Sequence, residues 1–137
     1  MGIRIKGGFI IRIGEVSKIT GLSYHTLRYY EDIGLIRNIA RDGQGNRDYT
    51  EGDIKWVNFL LRLRITGMPI NDVIYYAELY YSGDQSISKR IELLSSYKDR
   101  LTGEMKKIQN SIDFLANKIE FYYNKLNSID TTQRGCL

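Results

Sequence analysis

Apolar residues recur most regularly in the C-terminal half of this 137-residue chain. From Ile87 to Leu126 they alternate in steps of four and three residues, and Lys98 is the one charged member of the series. No proline interrupts the spacing, which predicts one helix over residues 85–127 with an a/d seam of almost six heptads. Such a helix would be about 60 Å long, at 1.5 Å per residue.

A helix of this length cannot bury its apolar stripe alone, so we expect it to need a partner. A short docking within the chain is one alternative, but the N-terminal part is too small to cover the stripe, which favours a homodimer. Lys98 facing a second Lys98 would be costly, and an antiparallel pair avoids that contact. The residues expected to form the dimer are Ile91, Leu94, Leu101, Met105, Ile108, Ile112, Leu115, Ile119 and Tyr122.

The N-terminal half carries shorter patterns. A weak alternation over residues 9–13 predicts a short edge strand. Ile13, Val16 and Ile19 then recur at three-residue steps and predict a helix, which Gly21 would end.

A second short helix should follow at once. Ser23 can cap its first free N–H groups, and Gly34 can take the left-handed conformation that stops it. Leu27 would pack back on Val16 and Ile19. Two short helices joined through a glycine are typical of a helix-turn-helix.

The outward face of this second helix carries Arg, Tyr, His, Ser and Thr, whereas Leu27 and Tyr30 should face the core. This face has hydrogen-bond donors and aromatic rings but little aliphatic surface. It therefore suits DNA phosphates and base edges better than an apolar partner. An ordinary solvated helix is the alternative for this stretch alone.

Residues 37–49 are rich in Gly, Asn and Asp and predict a loop or hairpin. Arg37, Arg41 and Arg47 flank the turn. A basic hairpin directly after a helix-turn-helix is typical of a wing that reaches the phosphate backbone. A plain solvated turn is the alternative.

Two further helices are predicted over residues 50–66 and 70–81. Thr50 and Asp53 are spaced as in a capping box. Ile54, Val57, Leu60, Leu61 and Arg64 should line one side of the first helix, with Trp56 and Phe59 in the core. The second helix is rich in tyrosine, which suits either a ligand-stacking surface or a helix packed between its neighbours, and we favour packing.

Charge and chemistry narrow the function. The net charge is +4, and residues 1–64 hold 11 Lys and Arg against 7 Asp and Glu, which fits a head that binds nucleic acid. One histidine and one cysteine, Cys136, offer no catalytic or metal-binding pattern, so we expect no enzyme, no metal and no cofactor. Without a membrane-length apolar run the protein is expected in the cytoplasm, with residues 1–8 as a tail or a remnant of an upstream start.

Several motifs at fixed spacing resemble the mercury-resistance-regulator (MerR) family of bacterial transcription factors. They are the segments 13–17 (IGEVS), 26–31 (TLRYYE), 33–36 (IGLI), 46–49 (NRDY) and 53–54 (DI). The resemblance implies a mainly α protein with a winged helix-turn-helix head over residues 1–82, whose helix-turn-helix covers about 13–32. It also implies a two-helix linker and an antiparallel coiled-coil dimer over residues 85–127, followed by a flexible tail over 128–137.

The family also implies a mechanism. A dimer lies between promoter elements that are spaced too far apart, and distorts the DNA so that RNA polymerase can read both. Tyr24 and His25 stand where side chains enter the major groove. Together with the positions that match the family's DNA contacts, the expected DNA-binding residues are Tyr24, His25, Thr26, Arg28, Tyr29, Tyr30, Arg47, Tyr49 and Arg64.

The effector is left open. Residues 47–67 resemble the short, aldehyde-responsive AdhR-like branch, which is associated with a reactive cysteine where this chain has residues 59–64 without one. An inherited electrophile switch is therefore in doubt. An architectural or adaptor protein, acting through its coiled coil without switching, is the alternative function.

Overall fold

A computed structural model of the chain describes residues 3–5 and 8–135, with side chains from residue 10 to residue 130. The chain divides into two units, Met1–Tyr97 and Lys98–Leu137. The described elements, in chain order, are the strands β1 (Ile3–Ile5) and β2 (Gly8–Ile10), the helices α1 (Ile13–Thr20) and α2 (Tyr24–Asp32), the strands β3 (Ala40–Arg41) and β4 (Arg47–Asp48), the helices α3 (Glu51–Ile65) and α4 (Ile70–Ser82), a short 3-10 helix (Asp84–Ser86), and the helix α5 (Ile87–Gly135).

The predicted helix-turn-helix is present, and local chemistry explains its limits. Gly21 ends α1 with a φ of 77°, and the Ser23 side chain accepts the N–H of Thr26 at 3.1 Å. After α2, Gly34 adopts a φ of 82° and the N–H of Leu35 returns to the carbonyl of Tyr30 at 2.9 Å. This turn brings the chain back into the core directly after α2.

The wing is a two-stranded antiparallel sheet of β3 and β4, in which Ala40 pairs with Asp48. Next to it, Ile11 and Tyr49 exchange two backbone hydrogen bonds of 2.7 and 2.9 Å. The wing is therefore joined to the segment that leads into α1.

The two linker helices follow the expected caps. Thr50 and Asp53 form the capping box at the start of α3, with side-chain to backbone distances of 3.1 and 2.9 Å. Gly83 breaks the chain after α4 with a φ of 107°. The buried core of the first unit joins both helices to the head; its largest fully buried side chains are Tyr49, Leu27, Leu35, Ile36, Leu60, Met68, Val16, Val57 and Val73.

Several sequence expectations about packing were wrong. Ile19 is 50% exposed and does not join Leu27 in the core. On α3, Leu63 is buried whereas Arg64 is exposed, because its guanidinium reaches out to the carbonyl of Met68 in the turn after the helix. Trp56 and Phe59 lie half-buried at the edge of the core rather than within it.

The ends of the chain also differ from expectation. Residues 3–5, expected in a tail, pair with residues 8–10 in an antiparallel ladder, and the predicted strand at 9–13 ends at Ile10. At the other end, α5 continues through Gly135, so the predicted tail is helical over residues 128–135. The sequence held a signal for part of this continuation, because Ile129 extends the spacing of the seam beyond Leu126.

Candidate nucleic-acid interface

The outer face of α2 is polar and open to solvent. Tyr24, His25, Arg28 and Tyr29 are exposed, whereas Leu27 is fully buried and Tyr30 is half-buried. Arg28 makes no hydrogen bond or ion pair with any residue that the structure describes. Its guanidinium is therefore available to an external acceptor.

The N-terminal turns of α1 and α2 meet at Gly14. A Cβ atom at this position would stand 2.8 Å from the hydroxyl oxygen of Tyr24. The glycine thus lets the Tyr24 ring lie against the first turn of α1, which fixes the direction of a predicted DNA-reading side chain.

Three arginines surround a cavity of about 350 Å³, which we call the basic cavity. Arg12 comes from the start of α1, Arg28 from α2 and Arg47 from the wing. Guanidinium groups present several donors in a planar fork that matches phosphate oxygens. The remaining lining residues are Ile13, Gly45 and Asn46.

Sequence reasoning placed Arg28 and Arg47 in the interface but missed Arg12. A signal for it existed, because Arg12 is the N-cap of α1, where the helix dipole disfavours a cation. Carboxylates of the wing offset that cost: Asp42 accepts from Arg12 Nη1 at 2.9 Å, and Asp48 accepts from the same atom.

The wing is held against α2 by Glu31, another residue that sequence reasoning missed. The Glu31 carboxylate accepts from Arg47 Nε at 2.6 Å and lies 3.6 Å from Arg41. The side chains of Arg47 and Glu31 are only 17% and 20% exposed, so water screens this pair incompletely. Glu31 therefore fixes where the Arg47 guanidinium stands relative to Arg28.

The turn of the wing is organised by Asp42. The backbone N–H of Asn46 donates to its carboxylate at 2.8 Å and lowers the pKa of Asp42, with further donors in Gln44 and Arg12. An ionised Asp42 thus shapes the loop that carries Gly45 and Asn46 to the basic cavity.

Two predicted contact residues occupy other roles in the structure. Tyr49 is 1% exposed, because its backbone pairing with Ile11 draws the ring into the core, and burial raises its pKa. A direct phosphate contact by this ring is therefore wrong for this conformation. The exposed Arg64 donates from Nη1 to the carbonyl of Met68 at 2.9 Å, so it also braces the turn after α3.

The predicted dimer seam lies open along α5. Eight of its nine members are between 37% and 66% exposed, and Leu94 instead packs against the core of the first unit with Leu93 and Tyr97. Phe114 and Phe121, which the seam pattern missed, are exposed one heptad apart. The exposed seam residues are Ile91, Leu101, Met105, Ile108, Ile112, Leu115, Ile119 and Tyr122.

Among the residues that the structure describes, no group of three or more His, Cys, Asp and Glu side chains could hold a metal ion. None of the helices in that part of the chain is long and apolar enough to cross a membrane.

Comparison with known proteins accounts for this arrangement. The family model described as MerR HTH family regulatory protein matches residues 11–78. An HTH-type transcriptional regulator of Haemophilus influenzae is 34% identical over 102 residues, which cover 74% of this chain and 76% of the relative. The transcriptional regulator AdhR of Bacillus subtilis is 41% identical over 91 residues, covering 66% of this chain and 65% of AdhR.

A solved structure resembles the fold over most of its length. It is described as HiNmlR, a MerR family regulator lacking the sensor domain, bound to promoter DNA. It is 30% identical, with a TM-score of 0.70 and coverage of 84% of this chain and 91% of that one. These relatives are transcriptional regulators rather than enzymes. The chain belongs to the MerR family of helix-turn-helix transcriptional regulators.

Proposed function

We propose that this protein binds promoter DNA in the cytoplasm as a homodimer and distorts the spacer between promoter elements, so that RNA polymerase is affected indirectly. The basic cavity carries the proposal, because three arginines from α1, α2 and the wing converge beside the exposed face of α2. HiNmlR, whose fold this chain resembles, was solved with promoter DNA bound.

Each part of the head has a distinct role in this proposal. Tyr24, His25 and Thr26, in the first turn of α2, enter the major groove and read base edges. Arg28 and Tyr29 contact phosphates, and the cavity between Arg28 and Arg47 receives a backbone phosphate. Tyr30 and Arg64 contribute at the edge, as half-buried and braced side chains.

The dimer follows from the exposed seam of α5. Apolar side chains at eight seam positions face water in the single chain, and a second α5 would cover them. An antiparallel arrangement keeps Lys98 away from its own copy. Two heads then present two equivalent α2 helices to a DNA site with two-fold symmetry.

To distort promoter DNA, the protein must contact both half-sites. Bending or untwisting a promoter-length site costs several kcal/mol, on the order of 1–6. In a dimer, the two basic cavities would each contact a phosphate, and these contacts can offset the cost. In each protomer, the ion pairs of Glu31 with Arg41 and Arg47 hold the cavity in shape.

The test is binding to the protein's own upstream promoter region, with scrambled DNA of equal length, at two salt concentrations. We expect tight binding to the promoter at both concentrations and a much weaker complex with scrambled DNA. Weak binding that ignores sequence and disappears with salt would contradict the proposal and favour an architectural protein.

A further inference from the structure

Aromatic side chains of α3 and α4 line a second, largely open cavity, of about 330 Å³, which we call the aromatic pocket. Its volume falls within the range of small-molecule sites. The basic cavity lies elsewhere, around the start of α1, and shares no lining residue with this one. The aromatic pocket is lined by Gly52, Lys55, Trp56, Phe59, Tyr76 and Tyr80.

The rings stand in a nearly parallel arrangement around Trp56. The ring centroids of Trp56 and Tyr80 are 4.2 Å apart at an angle of 21°, and those of Trp56 and Phe59 are 5.7 Å apart at 23°. Packing alone was our sequence expectation for Trp56 and Phe59, yet both remain half-buried and line an open space. Trp56 and Tyr80 are thus stacked on each other, and a guest would pack against the parts of this ring cluster that line the cavity. An aromatic surface of this kind favours a planar aromatic guest.

The indole of Trp56 is fixed before any ligand arrives. Its Nε1–H donates to the carbonyl of Leu35 at 2.8 Å. The ring is therefore preorganised, and its only polar group is already used within the protein. A ligand would gain aromatic contact without first having to order this ring.

Charge selects among planar guests. Lys55 is the one charged residue that lines the aromatic pocket, and it makes no hydrogen bond or ion pair with the residues that the structure describes. The nearby Asp53 carboxylate is engaged by the backbone N–H of Thr50 in the capping box. An anionic group on the guest would thus find a free cation at the edge of the rings.

Residues that line the aromatic pocket also contact the segment after α2 and the start of α5. Trp56 is bonded to Leu35, just after α2, and Arg37, two residues on, packs its guanidinium 4.8 Å from the ring centre of Tyr81. On the other side, the Arg90 guanidinium lies 5.6 Å from the ring centre of Tyr80. A shift of Trp56 would therefore disturb its hydrogen bond to Leu35, just after α2, and a shift of Tyr80 would disturb its contact with Arg90, near the start of α5.

We propose that the aromatic pocket binds a planar aromatic carboxylate, packed against the rings that line it with its charge at Lys55, and that binding changes affinity for promoter DNA. The regulatory half of this inference rests on the proposed function. The binding half does not, since it concerns the pocket alone.

The experiment uses the full chain and two matched probes, 2-naphthoate and its uncharged analogue 2-naphthamide. Trp56 is the only tryptophan of the sequence, so its indole N–H gives a single cross-peak in a nitrogen–proton correlation spectrum. We expect 2-naphthoate to shift this peak saturably and to bind roughly two- to fivefold more tightly than the amide, as an ion pair to the exposed Lys55 allows.

Two variants locate the site, and two others control for it. Lys55→Gln should remove the preference for the carboxylate, whereas Lys55→Arg should keep it and Lys107→Gln, on α5, should have no effect. Gly52→Leu should block binding by filling the pocket. A Cβ at position 52 would meet only Thr50 Oγ1 at 3.6 Å, an ordinary contact, so the fold should tolerate the change.

DNA affinity is measured in parallel, with and without 2-naphthoate. We expect the ligand to change the dissociation constant of the promoter complex for the wild type but not for Gly52→Leu, whose DNA binding without ligand should equal that of the wild type. A non-saturating shift, equal binding of both probes, or binding that survives Gly52→Leu would overturn the site, even with promoter binding intact. Loss of promoter binding with a saturable shift would instead overturn the proposed function.

Discussion

Replacing Arg28 with alanine separates DNA contact from stability. Arg28 is exposed on α2 and makes no hydrogen bond or ion pair with the described residues. Its removal should therefore change the free energy of unfolding by no more than about 0.5 kcal/mol. It should nevertheless open one side of the basic cavity, where Arg12 and Arg47 remain.

The expected loss of affinity follows from counterion release. Each phosphate contact contributes about 0.9 to the slope of log affinity against log salt, which amounts to about 1 kcal/mol per contact near 0.15 M salt. A dimer loses two contacts, one at each half-site. Arg28→Ala should thus weaken promoter binding by about 2 kcal/mol, or roughly thirtyfold, and lower the salt slope by about 1.8.

The assay is fluorescence anisotropy with labelled promoter DNA at four or more salt concentrations, beside a thermal unfolding curve for each variant. Lys107→Ala is the matched control, because it removes a cation that is also exposed, from α5. The reasoning is refuted if Arg28→Ala keeps the wild-type salt slope, or if Lys107→Ala lowers the slope as much.

Three other changes test separate parts of the structure. In a double-mutant cycle, Glu31→Gln and Arg47→Ala should show a coupling of about 1–2 kcal/mol in unfolding free energy, since their pair is largely shielded from water; additive effects would contradict this contact. Leu115→Asp should convert a dimer into monomers in sedimentation equilibrium and abolish promoter binding, whereas Lys107→Asp on the same helix should leave the dimer intact. Because burial raises the pKa of Tyr49 above its ordinary 10.0, the neutral phenol stabilises the fold below pH 10.0 and this stability is lost as the pH rises through the folded-state value. Tyr49→Phe should accordingly lose less stability than the wild type above pH 10.0 in alkaline unfolding.

Local chemistry made much of the fold predictable. The bounds of α1, the Ser23 cap of α2 and the capping box at Thr50 each depend on residues within four positions of one another. Such contacts can be predicted from the residue types at neighbouring positions along the chain. The long a/d spacing likewise predicted α5, although not its continuation to Gly135.

Contacts between distant residues escaped prediction. Arg12 meets wing carboxylates 30 and 36 positions away, and Arg47 meets Glu31 across 16 positions. The burial of Tyr49 depends on a backbone bridge to Ile11, which no side-chain pattern encodes. The basic cavity is formed by these distant segments, so it could be recognised only in the folded structure.

The aromatic pocket is a second feature that the sequence did not predict. The sequence places Trp56 and Phe59 on α3 and a run of tyrosines on α4, which suits a shared core. How the two helices pack decides whether those rings close completely or leave a gap, and here they leave a gap at Gly52 and Lys55. That outcome depends on geometry that spacing alone does not specify.

Hydroxyl-radical footprinting of the protein's own promoter region tests the central claim most directly, with wild type and Leu115→Asp compared at equal concentration. A homodimer with two basic cavities predicts two symmetric protected patches on an inverted repeat between promoter elements, both lost in the variant. A single unsymmetric patch that persists in Leu115→Asp would contradict a dimer that grips both half-sites.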